Sequence, residues 1–590
     1  MCLRFLREDP WRRLERLREL IPNVPFQMLL RGANAVGYTS YPDNVVYEFC
    51  REAAVRGVDV FRVFDSLNYV ENLLVGCDAV HAAGGVVQGE VCFTGNLDGK
   101  YSLDYYLGVA GDLVHRGGVH VLGVKDMAGL MTPAVASRLV GALKREFPCT
   151  PLHVHTHDTG GVGVASMVAA ASAGADVVHG AVDCLSGGTS QPSLGALVKS
   201  LGELQGGALD VDLGDLAALN DYWAATKARY APFAQAADGA SDVWQHEMPG
   251  GQYTNLRFQS QSILGSGVGE WGAVKGAYRE ANALLGDLVK VTPSSKAVGD
   301  LAVFMVANGL GRADVEAGAV AGALSLPASV VEFLQGQLGQ PHGGFPEPLR
   351  SAVMAKEGLA PLAGRPGAGL PPFDFGALRA RLAAEYGGLA EDGFELRPAT
   401  DALSAALYPE VFAGYATFCA EFGDVSRLPT EAFLAPLAAG QEVEVHLDAG
   451  KLLVVKYLGA DGEADGEGRR AVRFELNGVT REVRVLDKQR AAAAAAAAEE
   501  GGGRGHLAER GHQRRADRSN PGHVSAPMPG TLLTVRCKAG DVVAKGQQVA
   551  VVSAMKMETA VSAPVAGTVV AVHAVEGDLL RAGDLVVEIE

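Results

Sequence analysis

The sequence predicts an α/β protein of several domains: an incomplete (β/α)8 barrel, a helical extension, a small α+β region and a C-terminal all-β domain folded as a flattened sandwich. Two patterns predict this order. Up to about residue 215, short apolar runs alternate with helical stretches, which is typical of a parallel sheet covered by helices. Near the C-terminus, valine-rich runs bounded by glycine and proline repeat at a fixed spacing, which is typical of short paired strands. At 590 residues the chain exceeds what one hydrophobic core supports.

Six apolar runs predict the strands of the barrel. They are Phe26–Leu30, Asp59–Phe64, Val86–Phe93, Val119–Val124, Leu152–His155 and Asp176–Val182. Helical stretches lie between them, among them Asn44–Arg56 and Pro133–Phe147. A closed barrel of this class needs eight strands. We expect one further strand upstream of Met1, and the sequence does not place the other.

The rest of the chain divides by composition and periodicity. Val315–Ala323 and Ser329–Leu338 have helical periodicity, whereas Glu442–His446, Leu452–Lys456 and Val472–Leu476 alternate as strands. An alanine run, three glycines and a basic polar stretch indicate a linker. The expected domains are therefore the barrel (1–215), its helical extension (216–395), a region of helices and a small sheet (396–490), the linker (491–520) and the all-β domain (521–590).

Charge and cysteine content exclude several function classes. The net charge of -17 argues against nucleic acid or an anionic membrane as a partner. The eight cysteines are scattered without a CxxC pair, which fits a reducing compartment. No apolar run reaches membrane-spanning length. We therefore expect an intracellular protein, of the mitochondrial matrix or the cytoplasm.

The all-β domain contains an internal repeat with a lysine at its centre. Ala526–Gly530 recurs as Ala563–Gly567, and Gly540–Asp541 recurs as Gly577–Asp578, both with a shift of 37 positions. Lys556 lies between two methionines at the junction of the two halves. A tight turn at this junction would hold the amine in solvent, ready for modification. An unmodified surface lysine on a turn is the alternative.

Two predicted barrel strands end in residues that suit a metal centre. His153, His155 and His157 alternate along one strand and so share a face, and two such imidazoles can ligate one ion. Buried structural histidines are the alternative. Lys125 ends the preceding strand and, as an ammonium, would repel a metal ion. Its amine could capture carbon dioxide and bind the ion as an anionic carbamate, or it could form a salt bridge with a nearby carboxylate.

Several motifs resemble those of known families. The Ala-Met-Lys-Met sequence around Lys556, inside a two-fold β repeat, resembles a biotinyl carrier domain. From residue 1 to about 490, and again from 524 to 590, the chain resembles the pyruvate carboxylase family. The stretches that carry this resemblance are Phe26–Tyr38, Lys125–Gly129, His155–Asp158, Gly250–Asn255 and Val291–Lys296.

The resemblance implies a ligase that transfers a carboxyl group from carboxybiotin to pyruvate and so forms oxaloacetate. It also implies two cofactors, covalent biotin and a divalent metal of the manganese, zinc or cobalt class. The implied residues are Lys556 for biotin attachment, Lys125 (as carbamate), His155 and His157 for the metal, Arg31 for pyruvate and its enolate, Tyr38, Ser295 and Lys296 for the incoming biotin, and Thr292 for proton transfer.

Two of these residues have a direct physical rationale. An arginine can grip a carboxylate through two parallel hydrogen bonds, which a lysine cannot, so Arg31 suits pyruvate. Thr292 can pass a proton between the pyruvate methyl group and the biotin nitrogen. Its alternative role is to cap the helix that Thr292-Pro-Ser-Ser-Lys296 would begin, and both roles can hold at once.

The chain also departs from the family pattern. The ATP-dependent biotin carboxylase domain, and a first barrel strand that bears an aspartate metal ligand, do not occur in these residues. We therefore expect this chain alone not to carboxylate pyruvate from ATP and bicarbonate, and its metal to have three protein ligands. For the full-length protein the family implies a homo-tetramer, modification by biotin protein ligase and acetyl-CoA as an activator. The alternatives are a subunit of a split pyruvate carboxylase or oxaloacetate decarboxylase, and a non-catalytic carrier or assembly protein.

Overall fold

The structure is a computed structural model in which the chain divides into two compact units. One unit comprises residues 1–17 and 374–512, and the other comprises residues 18–373 and 513–590. The described residues are 2–95, 97–204, 206, 209–231, 234, 239–264, 268–388, 395–462, 465, 468–487, 514–517, 520–527, 530–554 and 557–590.

A six-stranded parallel sheet forms the centre of the second unit and confirms the predicted strands. Its neighbours follow chain order: β1 (Gln27–Leu30), β2 (Val60–Val63), β3 (Val86–Cys92), β4 (Val121–Asp126), β5 (Leu152–Thr156) and β6 (Val177–Val178). Within the described residues no seventh or eighth strand joins this sheet, so it forms a parallel half-barrel. The predicted α/β class with an incomplete barrel is thus confirmed.

Helices connect these strands and pack on the sheet. They are α2 (Asp43–Val55), α3 (Val70–Ala82), α4 (Leu103–His115), α5 (Pro133–Glu146), α6 (Gly163–Ser172) and α7 (Leu194–Leu204). The start of α5 follows from its sequence, because the Thr132 hydroxyl accepts from the Val135 amide and Pro133 occupies the first turn. The β-strand, helix, β-strand order sets the carboxyl ends of the strands along one edge, where functional residues of such barrels lie.

The helical region beyond the barrel has its own core. Its helices are α8 (Leu213–Tyr230), α9 (Val243–His246), α10 (Gly250–Leu264), α11 (Val268–Leu284), α12 (Ser294–Asn308), α13 (Arg312–Val320), α14 (Ala328–Gln335) and α15 (Leu349–Glu357). Helix α12 is buried over most of its length and packs against α11 and α14. Its start is therefore held rigidly against the barrel, where the Ser294 hydroxyl lies 3.1 Å from the Ser66 carbonyl oxygen.

The first unit combines helices with a small antiparallel sheet. Its elements are α1 (Pro10–Leu20), α16 (Phe375–Tyr386), α17 (Pro398–Leu407), α18 (Pro409–Phe422), α19 (Thr430–Leu434), β7 (Glu442–Asp448), β8 (Lys451–Ala460), β9 (Arg469–Leu476) and β10 (Val479–Leu486). Strand β10, an exposed edge strand, was not predicted. Trp11 joins α1 to α17, because its indole nitrogen donates to the Ser404 hydroxyl at 3.0 Å.

Asp401 on α17 is a buried carboxyl that should make this unit sensitive to pH. Burial, with added repulsion from Asp9, raises the pKa of Asp401 to about 7. Because the folded-state pKa lies above the ordinary value, the folded protein keeps a proton that the unfolded chain releases between pH 4 and 7. The resulting stability is present below pH 4 and is lost as the pH rises through 7. We expect Asp401→Asn to stabilise the protein at pH 8, by at most about 4 kcal/mol, and to converge with the wild type near pH 4.

Thermal denaturation of both proteins between pH 4 and 8 measures this effect. The Glu410→Gln variant is the control, since Glu410 is an exposed carboxylate of the same unit. A gain for Asp401→Asn that is the same at pH 4 and pH 8 would show that ionisation of Asp401 does not limit stability.

The C-terminal domain is the predicted flattened sandwich of two four-stranded sheets. Its strands are β11 (His523–Ser525), β12 (Gly530–Val535), β13 (Val542–Val543), β14 (Gln548–Ala554), β15 (Met557–Ser562), β16 (Gly567–Val572), β17 (Leu579–Leu580) and β18 (Leu585–Ile589). The sheet orders are β11-β18-β16-β13 and β15-β14-β12-β17. Strands β11 to β14 come from the first half of the repeat, and β15 to β18 come from the second. Each half therefore supplies the two inner strands of one sheet and the two outer strands of the other.

This domain packs on the helical region. Strand β15 lies against α14, and the buried apolar residues of the two regions form one continuous cluster. The contact brings the strand that follows Lys556 in the sequence next to α14. Among the described residues, no helix has the length and apolar character needed to cross a bilayer.

Candidate metal and carboxyltransfer site

Lys125, His155 and His157 lie together at the carboxyl ends of β4 and β5. The two strands are parallel, and Lys125 lies directly opposite His155 in their register. His157 follows two positions later, so it continues the same face. The ring centroids of His155 and His157 lie 5.3 Å apart. The structure thus brings together the three residues that the resemblance implied as metal ligands.

Each of these three side chains has a buried nitrogen without a hydrogen-bond partner. Lys125 is 1% exposed, and His155 and His157 are each 8% exposed. Among the described residues, Lys125 Nζ, His155 Nε2 and His157 Nε2 have no partner. Buried polar atoms normally have partners, and a metal ion would satisfy all three atoms at once. The residues present therefore fit a divalent cation.

Hydrogen bonds at the opposite ring nitrogens prepare both histidines for this role. His157 Nδ1 lies 2.6 Å from the Thr189 carbonyl oxygen, so Nδ1 must carry the proton and Nε2 keeps its lone pair. His155 Nδ1 lies 2.9 Å from His179 Nδ1. Gly250 permits the approach to His157, because a Cβ at this position would lie 2.9 Å from His157 Nδ1.

Lys125 is the least usual member of the site. Burial lowers the pKa of Lys125 to about 8. The negative charge of Glu90 raises this pKa, whereas the positive charge of Arg62 lowers it further. More of the amine is therefore uncharged near neutral pH than in an exposed lysine, and the uncharged form can react with carbon dioxide. In the described residues, no group of three or more His, Cys, Asp or Glu side chains has the arrangement of a metal site.

A buried polar layer lies beneath the site. Arg62 Nε donates to Glu90 Oε1 at 2.6 Å, and both side chains are almost fully buried. Burial alone would raise the pKa of Glu90, but the charges of Arg62 and Lys125 lower it to about 2. Gly123 makes room for this carboxylate, since a Cβ there would lie 2.7 Å from Glu90 Cδ. The alternative to a carbamate at Lys125 was a salt bridge with a nearby carboxylate. Glu90 forms its salt bridge with Arg62, and Lys125 Nζ makes no hydrogen bond to Glu90.

Arg31 borders the same site at the end of β1. Its guanidinium carbon lies 5.1 Å from the Tyr38 ring centroid and 6.0 Å from that of Phe64. Lys125 Nζ lies 4.8 Å from the same Phe64 ring. Arg31 Nη1 donates to the Val36 carbonyl oxygen at 2.7 Å, which fixes the side chain, while Nε is buried without a partner among the described residues. Arg31 thus keeps a free donor at the site.

Thr292 stands just before α12 and does not cap it. The helix begins at Ser294, its N-cap position is Pro293, and no side chain caps it. The Thr292 hydroxyl instead lies 3.2 Å from the Ser295 hydroxyl. The capping interpretation is therefore wrong, because a proline occupies the capping position and Thr292 precedes it. The hydroxyl of Thr292 remains free to exchange a proton with a bound molecule.

Lys296 lies one turn into α12 and is held by a buried carboxylate. Its Nζ donates to Asp300 Oδ2 at 2.5 Å, and the Ser329 hydroxyl on α14 donates to the same oxygen at 2.6 Å. Asp300 is 1% exposed. Because α14 also contacts β15, this network lies beside the C-terminal domain. Lys556 itself lies outside the described residues.

Sequence reasoning assigned no role to four residues of the site. Arg62 and Glu90 are charged residues inside apolar strands, and that pattern could have indicated a buried ionic layer. His179 follows the two-residue strand β6, and its contact with His155 had no sequence signal beyond its position at a strand end. Asp126, beside Lys125, holds the following loop by accepting the amides of Gly129 and Met131.

Family models match most of the chain. A model described as HMGL-like matches residues 86–222, one described as a conserved carboxylase domain matches residues 243–456, and one described as a biotin-requiring enzyme matches residues 522–589. The last range includes Lys556.

The carboxyl transferase domain of Rhizobium etli pyruvate carboxylase, solved with pyruvate and biocytin, is 42% identical to this chain with a TM-score of 0.76. The match covers 82% of this chain and 80% of that domain. The chain belongs to the pyruvate carboxylase family. The mitochondrial pyruvate carboxylases of Mus musculus and Homo sapiens are each 50% identical over all of this chain, which covers 48% of either protein. The chain thus spans about half the length of these pyruvate carboxylases.

Proposed function

We propose that this chain carries out the carboxyl-transfer half of the pyruvate carboxylase reaction, from biotin to pyruvate, giving oxaloacetate. The observation that carries the proposal is the cluster of buried nitrogens of Lys125, His155 and His157 beside Arg31, which have no hydrogen-bond partner among the residues that the structure describes. The same chain contains a domain of the biotin-requiring type. The domain boundaries expected from the sequence, with the barrel at 1–215 and the carrier at 521–590, form part of this proposal.

Lys125, as its carbamate, His155 and His157 would hold the divalent metal. When bound, the metal acts as a Lewis acid that stabilises negative charge on the pyruvate oxygen during loss of a methyl proton. Three deprotonated ligands on two adjacent strands give a rigid site, since the Nδ1 atoms of both histidines are already held. The layer formed by Arg62 and Glu90 keeps the floor of the site polar.

Arg31 would bind pyruvate. It lies at the end of β1, and the contact of Nη1 with the Val36 carbonyl keeps the guanidinium in place before the substrate arrives. A preorganised cation beside a developing enolate lowers the barrier more than one that must first reorganise. Arg31 would therefore both grip the carboxylate and stabilise the enolate.

Thr292 would move the proton. Its hydroxyl is partly buried and, among the described residues, forms a hydrogen bond with the hydroxyl of Ser295, which can donate or accept as needed. A hydroxyl with such a partner can give a proton and receive one in the same step. We assign to it the transfer between the pyruvate methyl group and the biotin nitrogen.

Tyr38, Ser295 and Lys296 would receive the biotin that is attached to Lys556. Biotin supplies the carboxyl group on its ureido nitrogen. The Lys296 ammonium, fixed by Asp300, provides a donor for a ureido oxygen, and the exposed Tyr38 ring provides an apolar surface. The contact of β15 with α14 supports delivery from this side.

The wider context is also proposed from the family. Biotin protein ligase would modify Lys556, and loading of biotin from ATP and bicarbonate would take place on a separate biotin carboxylase domain. A homo-tetramer and activation by acetyl-CoA would belong to the longer protein. Because the mouse and human relatives are mitochondrial pyruvate carboxylases by name, a mitochondrial location fits the proposal.

Decarboxylation of oxaloacetate in the presence of free biotin, which runs the transfer in reverse, tests the proposal. The assay uses the chain extended at its N-terminus by the expected first barrel strand, taken from the mouse relative. We expect Lys125→Ala to lower the biotin-dependent rate by about 100-fold or more, because the metal ligand is lost. The control is Lys199→Ala, a surface lysine paired with Glu203. A Lys125→Ala variant with the normal rate would refute the proposed site.

A further inference from the structure

His179 lies beside the proposed metal ligand His155 and contacts two histidine rings of the neighbouring strand. Its backbone amide continues the β5–β6 ladder by donating to the Val154 carbonyl at 3.1 Å. Its ring meets the ring of His153 edge to face, with centroids 3.9 Å apart, and that of His155 with centroids 5.2 Å apart. Three imidazoles from two adjacent strands thus pack together on the barrel side of the sheet.

We propose that His179 is a positioning residue that sets the tautomer of His155 and thereby permits it to bind the metal. This inference rests on the proposed metal site. The hydrogen bond that carries it joins His155 Nδ1 to His179 Nδ1 at 2.9 Å. One proton must lie between these two nitrogens, and its location decides what the opposite nitrogen of His155 can do.

Only one of the two arrangements allows metal binding. If His155 Nδ1 carries the proton and donates it to His179, then His155 Nε2 has a lone pair for the ion. If His179 donates instead, His155 Nε2 carries a proton and cannot be a ligand. His155 Nε2 is buried without a partner among the described residues, so nothing else there selects its tautomer. His179 must therefore act as the acceptor in the metal-loaded protein.

The surroundings of His179 suit an acceptor. Its neighbour His153 is fixed separately, because His153 Nδ1 lies 2.7 Å from Gln88 Nε2, an amide nitrogen that can only donate. His153 is therefore committed to Gln88 and does not compete for His155. Edge-to-face packing against two rings holds the His179 imidazole at the required angle. His157 achieves the same result differently, through the Thr189 carbonyl.

A matched pair of substitutions separates the acceptor from the ring. His179→Asn retains an acceptor oxygen one bond beyond Cγ, where histidine has Nδ1. His179→Leu has nearly the shape of the asparagine variant but no acceptor. Zn²⁺ affinity of the full chain is measured by competition with a chromophoric chelator in bicarbonate buffer. We expect His179→Asn to bind within a few-fold of the wild type and His179→Leu to bind about 10- to 100-fold more weakly. Equal affinities of the Asn and Leu variants, whether both strong or both weak, would overturn the role of His179.

Two further variants distinguish a failure of the His179 role from a failure of the proposed metal site. His157→Ala should lose stoichiometric zinc, and His115→Ala, which removes an exposed histidine, should retain it. A wild-type chain without stoichiometric zinc, or a His157→Ala chain that retains it, would contradict the metal site and with it the role of His179. Melting temperatures of all variants identify any loss of affinity that comes from unfolding.

Discussion

Replacement of Lys556 by alanine is expected to abolish biotin attachment to the chain. In the sequence, Lys556 lies between β14 and β15, which pair antiparallel from Ala554 and Met557 onwards. A biotin protein ligase would modify the lysine at this junction of the β repeat. Intact-mass measurement after co-expression with a ligase detects the modification. The expected change is complete, because no other lysine lies at the junction of the β repeat.

Two variants sharpen this experiment. Lys556→Arg keeps the positive charge but cannot form the amide with biotin, so it should also remain unmodified. Lys538→Ala removes another lysine of the same domain and should leave attachment unchanged. Biotin found on the Lys556→Ala chain would mean that a different lysine is the acceptor.

Loss of the Thr292 hydroxyl is expected to remove carboxyl transfer while leaving the fold intact. Thr292→Val has nearly the shape of threonine without the hydroxyl, and Thr292→Ser keeps the hydroxyl. In the chain extended by the first barrel strand, we expect Thr292→Val to slow biotin-dependent decarboxylation of oxaloacetate by roughly 100-fold or more. Thr292→Ser should stay within a few-fold of the wild type.

The structure makes the stability of these variants informative. A capping hydroxyl contributes about 1 kcal/mol, and its loss would lower the melting temperature. Because Pro293 occupies the capping position of α12, Thr292→Val should melt close to the wild type. Biotin attachment and metal content should also be unchanged. A Thr292→Val variant that transfers at nearly the normal rate would exclude Thr292 from proton transfer.

The barrel strands were predictable from the sequence because each is a short, mostly apolar run, and β2 to β5 are largely buried. The repeat of the C-terminal domain shows its strands directly. Strand β10 escaped prediction because it is an exposed edge strand, with alternating valine, arginine and glutamate, so that neither face has a continuous apolar pattern. Hydrophobic periodicity reflects the burial of one face, and an exposed edge strand buries little of either face.

The site was predictable where residues adjoin in the sequence. His155 and His157 share a strand, and Lys125 ends the strand before it, so the parallel register places them together. Arg62, Glu90 and His179 come from other strands, and only the register of the folded sheet reveals which residues they contact. The capping role of Thr292 failed for a local reason, since a threonine two residues before the helix cannot reach its first amides.

The exchange of strands between the two halves of the C-terminal domain has a consequence for when modification can occur. The inner strands of each sheet belong to one half, and the outer strands that flank them belong to the other. A half repeat emerging from the ribosome therefore has two bare sheet edges and no partner layer. The sheet that contains β14 and β15 gains its outer strands, β15 and β17, only from the second half, whereas the last strand, Leu585–Ile589, completes the opposite sheet. Biotin on Lys556, if the ligase requires the folded domain, would then mark chains in which both halves have been made.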